Sequence, residues 1–218
     1  MNRETVRSRI QQIGIIPAVR VSTAADAIFA AETVAASGIP IVEMTMTVPG
    51  AVDVIRQLTA KNPDLLVGGG TVLDLDTARR CLDAGAQFLT SPGLTLDIVE
   101  FALKHDTVVF PGALTPTEII LAWKAGADFV KVFPSSLLGG ANYVRALKSP
   151  FPQIPLIAAG GVNQQTVGDF ILAGAVAVGI GRELIPAEAV KRRQPDWIWE
   201  LAGRFLKIVA ETRAQMSS

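Results

Sequence analysis

Four times along the chain a short Ser/Ala-Gly phrase closes a helix-like stretch and opens an apolar run. The phrases are Ser37-Gly38-Ile39, Ala84-Gly85-Ala86, Ala125-Gly126-Ala127 and Ala173-Gly174-Ala175. The runs that follow are Ile41-Val42, Phe88-Leu89, Phe129-Val130 and Val176-Ala177-Val178. A glycine between helix and strand suits a helix C-terminus, where the backbone turns through positive φ. The glycines stand 47, 41 and 48 residues apart. That is too long for one compact strand-helix unit and fits two.

A second apolar run lies before the first phrase, Ile15–Val19, and in each of the three gaps: Leu65–Gly69, Thr107–Phe110 and Ile154–Ala159. The pattern predicts strands near 14–20, 39–45, 65–70, 86–91, 107–111, 127–133, 154–159 and 175–179. They are continuous apolar runs, as parallel strands covered by helices are. Helix starts are marked by Thr115-Pro116-Thr117-Glu118, a capping box with Pro at the first position, and by Asp74, Thr95 and Asn163. Residues 3–13 carry Val6, Ile10 and Ile13 on one side and predict an extra N-terminal helix, a plug under the sheet. With no linker in sight, residues 1–218 are expected to form a single (β/α)8 TIM barrel domain. A doubly wound open sheet is the alternative. The quasi-fourfold repeat favours closure, because equivalent strands fill the barrel layers.

Composition narrows the function. Lys plus Arg and Asp plus Glu are 20 each, so there is no charge excess to attract nucleic acid. No run of 18 apolar residues offers a membrane span, and Met1-Asn2-Arg3-Glu4 lacks an apolar signal core. The single Cys81 allows no internal disulfide. A cytoplasmic setting is expected. With one histidine, His105, a His-rich metal site is impossible, and there is no phosphate-cradling G-x-x-x-x-G-K-[ST] loop. Cys81 and His105 read as structural, and Trp197 and Trp199 as packing residues.

In such a barrel the chemistry belongs at the C-terminal strand ends. Four polar residues interrupt the apolar runs there: Arg20, Glu43, Thr71 and Lys131. A lone charge is costly to bury, so each should be paired or used. A lysine amine in an apolar pocket suits attack on a ketone or aldehyde to form a Schiff base. Glu43 could move protons beside it, Arg20 could hold a carboxylate or phosphate, and Thr71 could bond a small anion. The structural alternatives are a Lys131–Glu43 or Arg20–Glu43 ion pair and a helix cap at Thr71. Gly160-Gly161 and Gly179-Ile180-Gly181-Arg182 follow the last two strands, the usual phosphate position, where helix-start N–H groups can bind the dianion.

These residues, in order along nearly the whole chain, resemble the 2-keto-3-deoxy-6-phosphogluconate (KDPG) aldolase and 4-hydroxy-2-oxoglutarate aldolase family. The likeness runs through Ile16-Pro17-Ala18-Val19-Arg20, Val42-Glu43-Met44-Thr45, Gly69-Gly70-Thr71-Val72, Ser91-Pro92, Pro111-Gly112, Lys131-Val132-Phe133-Pro134, Gly139-Gly140 and Gly160-Gly161. The resemblance implies a class I lyase that cleaves KDPG to pyruvate and glyceraldehyde 3-phosphate. It implies Lys131 as Schiff-base lysine and Glu43 as general acid/base. It implies a substrate-binding set of Arg20, Thr71, Gly70, Pro92, Phe133, Gly160, Gly161, Gly181 and Arg182. It further implies no metal, no cofactor and a homotrimer. The alternatives are cleavage of the phosphogalactonate epimer or of 4-hydroxy-2-oxoglutarate. Beyond these stand a thiamine phosphate synthase-like or isomerase barrel without Schiff-base chemistry, and a non-catalytic sugar-phosphate binder. Three positions depart from the family pattern: Thr47 stands where the phosphogluconate branch often has Arg, Ala159 where Thr is frequent, and Arg182 where Ser is common.

Overall fold

In the computed structural model, which describes residues 1–216, the four repeat glycines take φ of 94°, 94°, 93° and 98°. Each follows a helix and turns the chain into a strand. The elements alternate as expected. Helix α1 (Arg3–Ile13) precedes β1 (Ile15–Val19), α2 (Ala24–Ala36), β2 (Ile41–Thr45), α3 (Ala51–Lys61), β3 (Leu66–Gly70), α4 (Leu75–Asp83), β4 (Phe88–Thr90) and α5 (Leu96–Lys104). Then come β5 (Val108–Phe110), β6 (Gly112–Ala113), α6 (Pro116–Lys124), β7 (Val130–Val132), α7 (Ala141–Lys148), β8 (Leu156–Ala159), α8 (Val167–Leu172), β9 (Ala175–Ile180), α9 (Ala187–Lys191) and α10 (Pro195–Met216).

All strand pairs are parallel, in the order β5-β4-β3-β2-β1-β9-β8-β7-β6. The two outer members, β5 and β6, are separated by Pro111 alone. They are halves of one strand, so the sheet closes into a (β/α)8 barrel. The sequence predicted that strand as one piece, 107–111. Proline has no N–H to donate and interrupts the ladder there. Its carbonyl still accepts the Lys131 N–H at 3.0 Å.

The barrel interior is packed by size complementarity. Phe88 and Phe110 stack at 5.3 Å between ring centroids, and Phe129 meets Phe110 edge-on at 6.1 Å. All three are fully buried, each a contribution of about 1.5–3 kcal/mol. The glycines of β3 make room for neighbours. A Cβ on Gly68 would lie 2.1 Å from the Phe88 ring, and one on Gly69 would lie 2.8 Å from Cys81 Sγ. Cys81 is therefore core, as expected, and burial pushes its thiol up to about 11.

Strand ends at the C-terminal mouth carry carbonyls that need donors. Three buried hydroxyls serve them: Thr45 Oγ1 donates to Val19 O at 2.8 Å, Thr90 Oγ1 to Phe110 O at 2.8 Å, and Ser135 Oγ to Ala159 O at 3.0 Å. At the opposite end α1 plugs the floor. Val6 and Ile10 are buried, and Arg3 Nε donates to Asp128 Oδ1 at 2.9 Å. Arg213 of α10 donates to the carbonyls of Gln11, Gln12 and Val176.

The capping box of Thr115 and Glu118 forms as read, and Asp74 caps α4. Thr95 occupies its cap position without a side-chain bond. Asn163 does not cap α8. Its Oδ1 accepts from Gln165 N and Thr166 N in a local turn, and the helix begins at Val167. Side-chain bonds to the next two or three N–H groups compete with a helical first turn. Trp197 and Trp199, expected to pack, are both exposed on α10; Trp199 is tied down by its indole N–H, which donates to Thr33 O at 3.0 Å.

Candidate active site

Glu43 lies in the middle of β2 and Lys131 in the middle of β7. Four of the intervening strand steps run one way round the barrel and the rest the other, so only closure brings the two together. Lys131 Nζ stands 3.3 Å from Glu43 Oε2 and 3.5 Å from Oε1. Their side chains are 10% and 3% exposed, so the pair is shielded from water yet reachable from the mouth. The ammonium also lies 5.8 Å from the centroid of the Phe133 ring. An amine and a carboxylate so placed can attack a carbonyl carbon and exchange the protons that the attack requires.

Gly70 closes this pocket on one side. A Cβ there would lie 2.2 Å from Glu43 Oε1 and 2.3 Å from Cγ. The absence of a side chain at Gly70 is thus a condition for the position of the Glu43 carboxylate. Thr71, next in the chain, has φ of 58°. A β-branched residue in the left-handed region costs roughly 1–3 kcal/mol, and such strain concentrates at functional sites. The cap reading of Thr71 is replaced: Asp74, not Thr71, accepts the N–H that starts α4.

Pro92 belongs to the β4–α5 loop that lies against β6. A Cβ on Gly112 would meet the Pro92 carbonyl at 2.1 Å, and Gly112 pairs with Lys131. Pro92 therefore lies against β6, the strand that pairs with that of Lys131. Gly160 and Gly161, at φ 87° and 89°, are laced to the segment leaving β7. Ser135 N–H donates to Ala159 O at 2.8 Å and Ser136 N–H to Gly160 O at 3.1 Å. A Cβ on Gly161 would meet Ser136 Oγ at 2.5 Å.

Arg20 and Arg182 are exposed, just beyond β1 and β9. These strands pair, Pro17 beside Ile180, so both arginines leave the sheet at one end of adjacent strands. Among the described residues neither has an ion-pair partner, and Glu43 is taken by Lys131 rather than Arg20. Two details of the sequence reading change here. Gly179 and Ile180 are part of β9, so the turn begins at Gly181. Neither glycine turn opens directly into a helix: a turn around Asn163–Thr166 precedes α8, and α9 starts only at Ala187.

Sequence reasoning missed three features. The Gly70–Glu43 contact joins residues 27 apart and has no local signature. Ser135 and Ser136 were not singled out as links to the glycine turn. Thr47 was noted only for what it is not, yet its hydroxyl lies 2.7 Å from that of Thr45. The spacing Glu43, Thr45, Thr47 was a signal for that last feature. Clefts of about 260 and 290 Å³ lie at the other end of the barrel, beside Arg3 and Asp128 and beside Gln11 and Arg213, remote from Lys131.

The geometry agrees with what the chain is similar to. A sequence profile of the family described as KDPG and KHG aldolase matches residues 6–201. A 2-dehydro-3-deoxy-phosphogluconate aldolase of Pseudomonas aeruginosa is 32% identical over 199 residues, 91% of this chain and 90% of that protein. A KDPG aldolase from Legionella pneumophila, solved with pyruvate captured as a covalent carbinolamine, superposes with a TM-score of 0.83. It is 29% identical and covers 90% of this chain and 96% of its own. A structure described as native KDPGal superposes at 0.84, with 28% identity over 92% of this chain and 96% of its own. With the profile spanning most of the chain and the barrel superposing, the chain belongs to the KDPG and KHG aldolase family and is a carbon–carbon lyase.

Proposed function

We propose that the protein cleaves a 2-keto-3-deoxy-6-phospho sugar acid, KDPG in the first instance, to pyruvate and glyceraldehyde 3-phosphate through a Schiff base on Lys131. The observation that carries the reading is the buried approach of Lys131 Nζ to Glu43 Oε2, 3.3 Å, at the C-terminal mouth. The covalent carbinolamine of the Legionella pneumophila relative supports it.

The unprotonated Nζ attacks C2 of the keto acid. Glu43 moves protons so that the carbinolamine oxygen leaves as water and an iminium remains. The carboxylate then takes the C4 hydroxyl proton. The C3–C4 bond breaks, its electron pair passes into the iminium, and the aldehyde departs. The enamine left behind takes a proton at C3 and water releases pyruvate, which restores the lysine. In this reading Thr71 and the Gly70 backbone would take the pyruvyl carboxylate, and Pro92 and Phe133 would flank the substrate chain. The glycine turns with Gly160, Gly161 and Gly181, together with Arg20 and Arg182, would take the phosphate. A dianion beside two unpaired arginines is well matched electrostatically.

A second reading is the phosphogalactonate epimer, favoured by Thr47, at a position where the phosphogluconate branch often has Arg, and by Phe133-Pro134-Ser135-Ser136. The working form is taken as a homotrimer, which sedimentation would show as a species of three chain masses. Incubation with pyruvate and borohydride, followed by intact mass and peptide mapping, tests the mechanism. A reduced pyruvyl adduct on Lys131 is expected. A folded protein that forms none would overturn it. Steady-state rates on the two phosphorylated epimers and on 4-hydroxy-2-oxoglutarate rank the substrates.

A further inference from the structure

The turn after β8 is held by its carbonyls. Ser135, fully buried where the chain leaves β7, donates to Ala159 O from its N–H at 2.8 Å and from its hydroxyl at 3.0 Å. The same hydroxyl stands 3.5 Å from Gly160 O, which also accepts Ser136 N–H at 3.1 Å. Two consecutive carbonyls thus face the β7 side. A planar trans peptide sets its C=O and its N–H on opposite sides. With Gly160 O turned toward β7, the Gly161 N–H points away from it. β8 lies between β7 and β9, so the far side is that of β9, whose chain runs on into Gly181 and Arg182. Gly161 is exposed, and among the described residues its N–H has no acceptor.

Contacts tie this turn to the lysine. A Cβ on Gly160 would lie 3.1 Å from Cδ2 of Phe133, and the Phe133 ring centroid is 5.8 Å from Lys131 Nζ. Turn and lysine therefore border the same ring. A phosphate dianion offers only lone pairs and takes donors, such as a free backbone N–H and a guanidinium. Had the Gly160 peptide the opposite orientation, it would present a carbonyl oxygen and repel the dianion. We propose that Ser135 is a positioning residue: its hydroxyl holds the carbonyls of Ala159 and Gly160 to the β7 side and so aims the Gly161 N–H at the substrate phosphate. Ser135 itself touches no substrate. The inference rests on the retro-aldol reading above, with the phosphate at the glycine turns, and adds to it the residue that makes one of those turns a donor.

The reverse reaction isolates the phosphate. Pyruvate is condensed with D-glyceraldehyde 3-phosphate and with unphosphorylated D-glyceraldehyde. The quantity read is the ratio of kcat/KM for the two aldehydes, and the wild type should prefer the phosphorylated one. Ser135→Ala keeps both backbone bonds of the turn and loses only the hydroxyl. It should shrink the ratio by about five- to tenfold, the worth of one hydrogen bond, through a raised KM for the phosphorylated aldehyde. Inorganic phosphate, as a competitive inhibitor of the D-glyceraldehyde reaction, should weaken by the same factor. A merely structural role would lower both rates together and leave the ratio and the inhibition within about twofold, overturning the assignment of Ser135 alone. If Ser135→Ala loses the circular dichroism of the wild type, Ser135→Cys, which fills the space with a weak donor, supplies the same comparison. A wild type that condenses pyruvate with neither aldehyde sinks the lyase reading and this inference with it. A wild type that uses both equally removes the phosphate from the glycine turns, and the role of Ser135 falls too.

Discussion

The carboxylate of Glu43 occupies the space that a side chain on Gly70 would need, with Oε1 only 2.2 Å from where a Cβ would stand. Gly70 pairs in register with Thr45, two residues along β2 from Glu43, so the contact is built into the sheet. Gly70→Ala must therefore push the carboxylate away from Lys131. A misplacement of about 1 Å can cost roughly 10²-fold in rate. We expect kcat to fall by about one to two orders of magnitude while circular dichroism stays that of the wild type. Borohydride trapping should still find a pyruvyl adduct, because Lys131 itself is not displaced. Full activity in the variant would mean that Glu43 is not the proton carrier.

The Lys131–Glu43 pair should also be visible in stability. Removing one partner leaves a buried, unpaired charge, a loss of about 3–5 kcal/mol in a sealed core and less beside an open mouth. We expect Lys131→Met and Glu43→Gln each to lower the denaturation free energy by about 1–3 kcal/mol, and the double variant to lose less than the sum. Additive losses in urea titrations would show that the two charges do not interact. Activity is the second readout. Lys131→Met should form no adduct, and Glu43→Gln should turn over at least about 10²-fold more slowly.

Glu118 Oε2 accepts N–H bonds from Leu114 and Thr115, each at 2.7 Å. These backbone donors hold its carboxyl below the ordinary value of 4.5. A lowered pKa means that the native fold favours the charged form. The contribution is present above the ordinary value and is lost as pH falls through the lowered one. The stability gap between wild type and Glu118→Gln should thus be constant near neutrality and narrow below about pH 4.5. A gap that does not change with pH would show that the charge adds nothing to the cap.

Cys81 offers a simple probe of the core. With its thiol pushed up to about 11, the thiolate fraction at pH 8 is on the order of 10⁻³. Burial against Gly69 removes access as well. Iodoacetamide at pH 8 should leave the folded protein unmodified and add one carbamidomethyl group in denaturant, as intact mass would show. Rapid labelling of the native protein would mean that α4 opens from the barrel.

The alternation of apolar runs and helices, punctuated by Gly38, Gly85, Gly126 and Gly174, sufficed for the barrel. Each of its signals is local: an apolar run, a cap, a glycine able to take positive φ. Arg20, Glu43, Thr71 and Lys131 were legible for a related reason, since polar residues stand out in runs that must be buried. Two boundaries were not legible. The break at Pro111 depends on which neighbour its N–H would have served, and the start of α8 depends on a competing turn at Asn163.

What the tertiary structure alone decided is who stands beside whom. Glu43 and Lys131 are 88 residues apart, and both ends of a closed sheet are needed to bring Nζ within 3.3 Å of the carboxylate. The sequence left Glu43 free to pair with Arg20 or with Lys131. Strand order and register settled it, because Arg20 lies beyond the end of β1 and faces solvent while Lys131 points inward from β7. The same holds for the hydroxyl of Ser135. Its acceptor is a carbonyl at the end of β8, and no pattern within the segment that follows β7 could have shown it. Periodicity is a property of a segment, whereas hydrogen-bond direction and ion-pair choice depend on distances between segments.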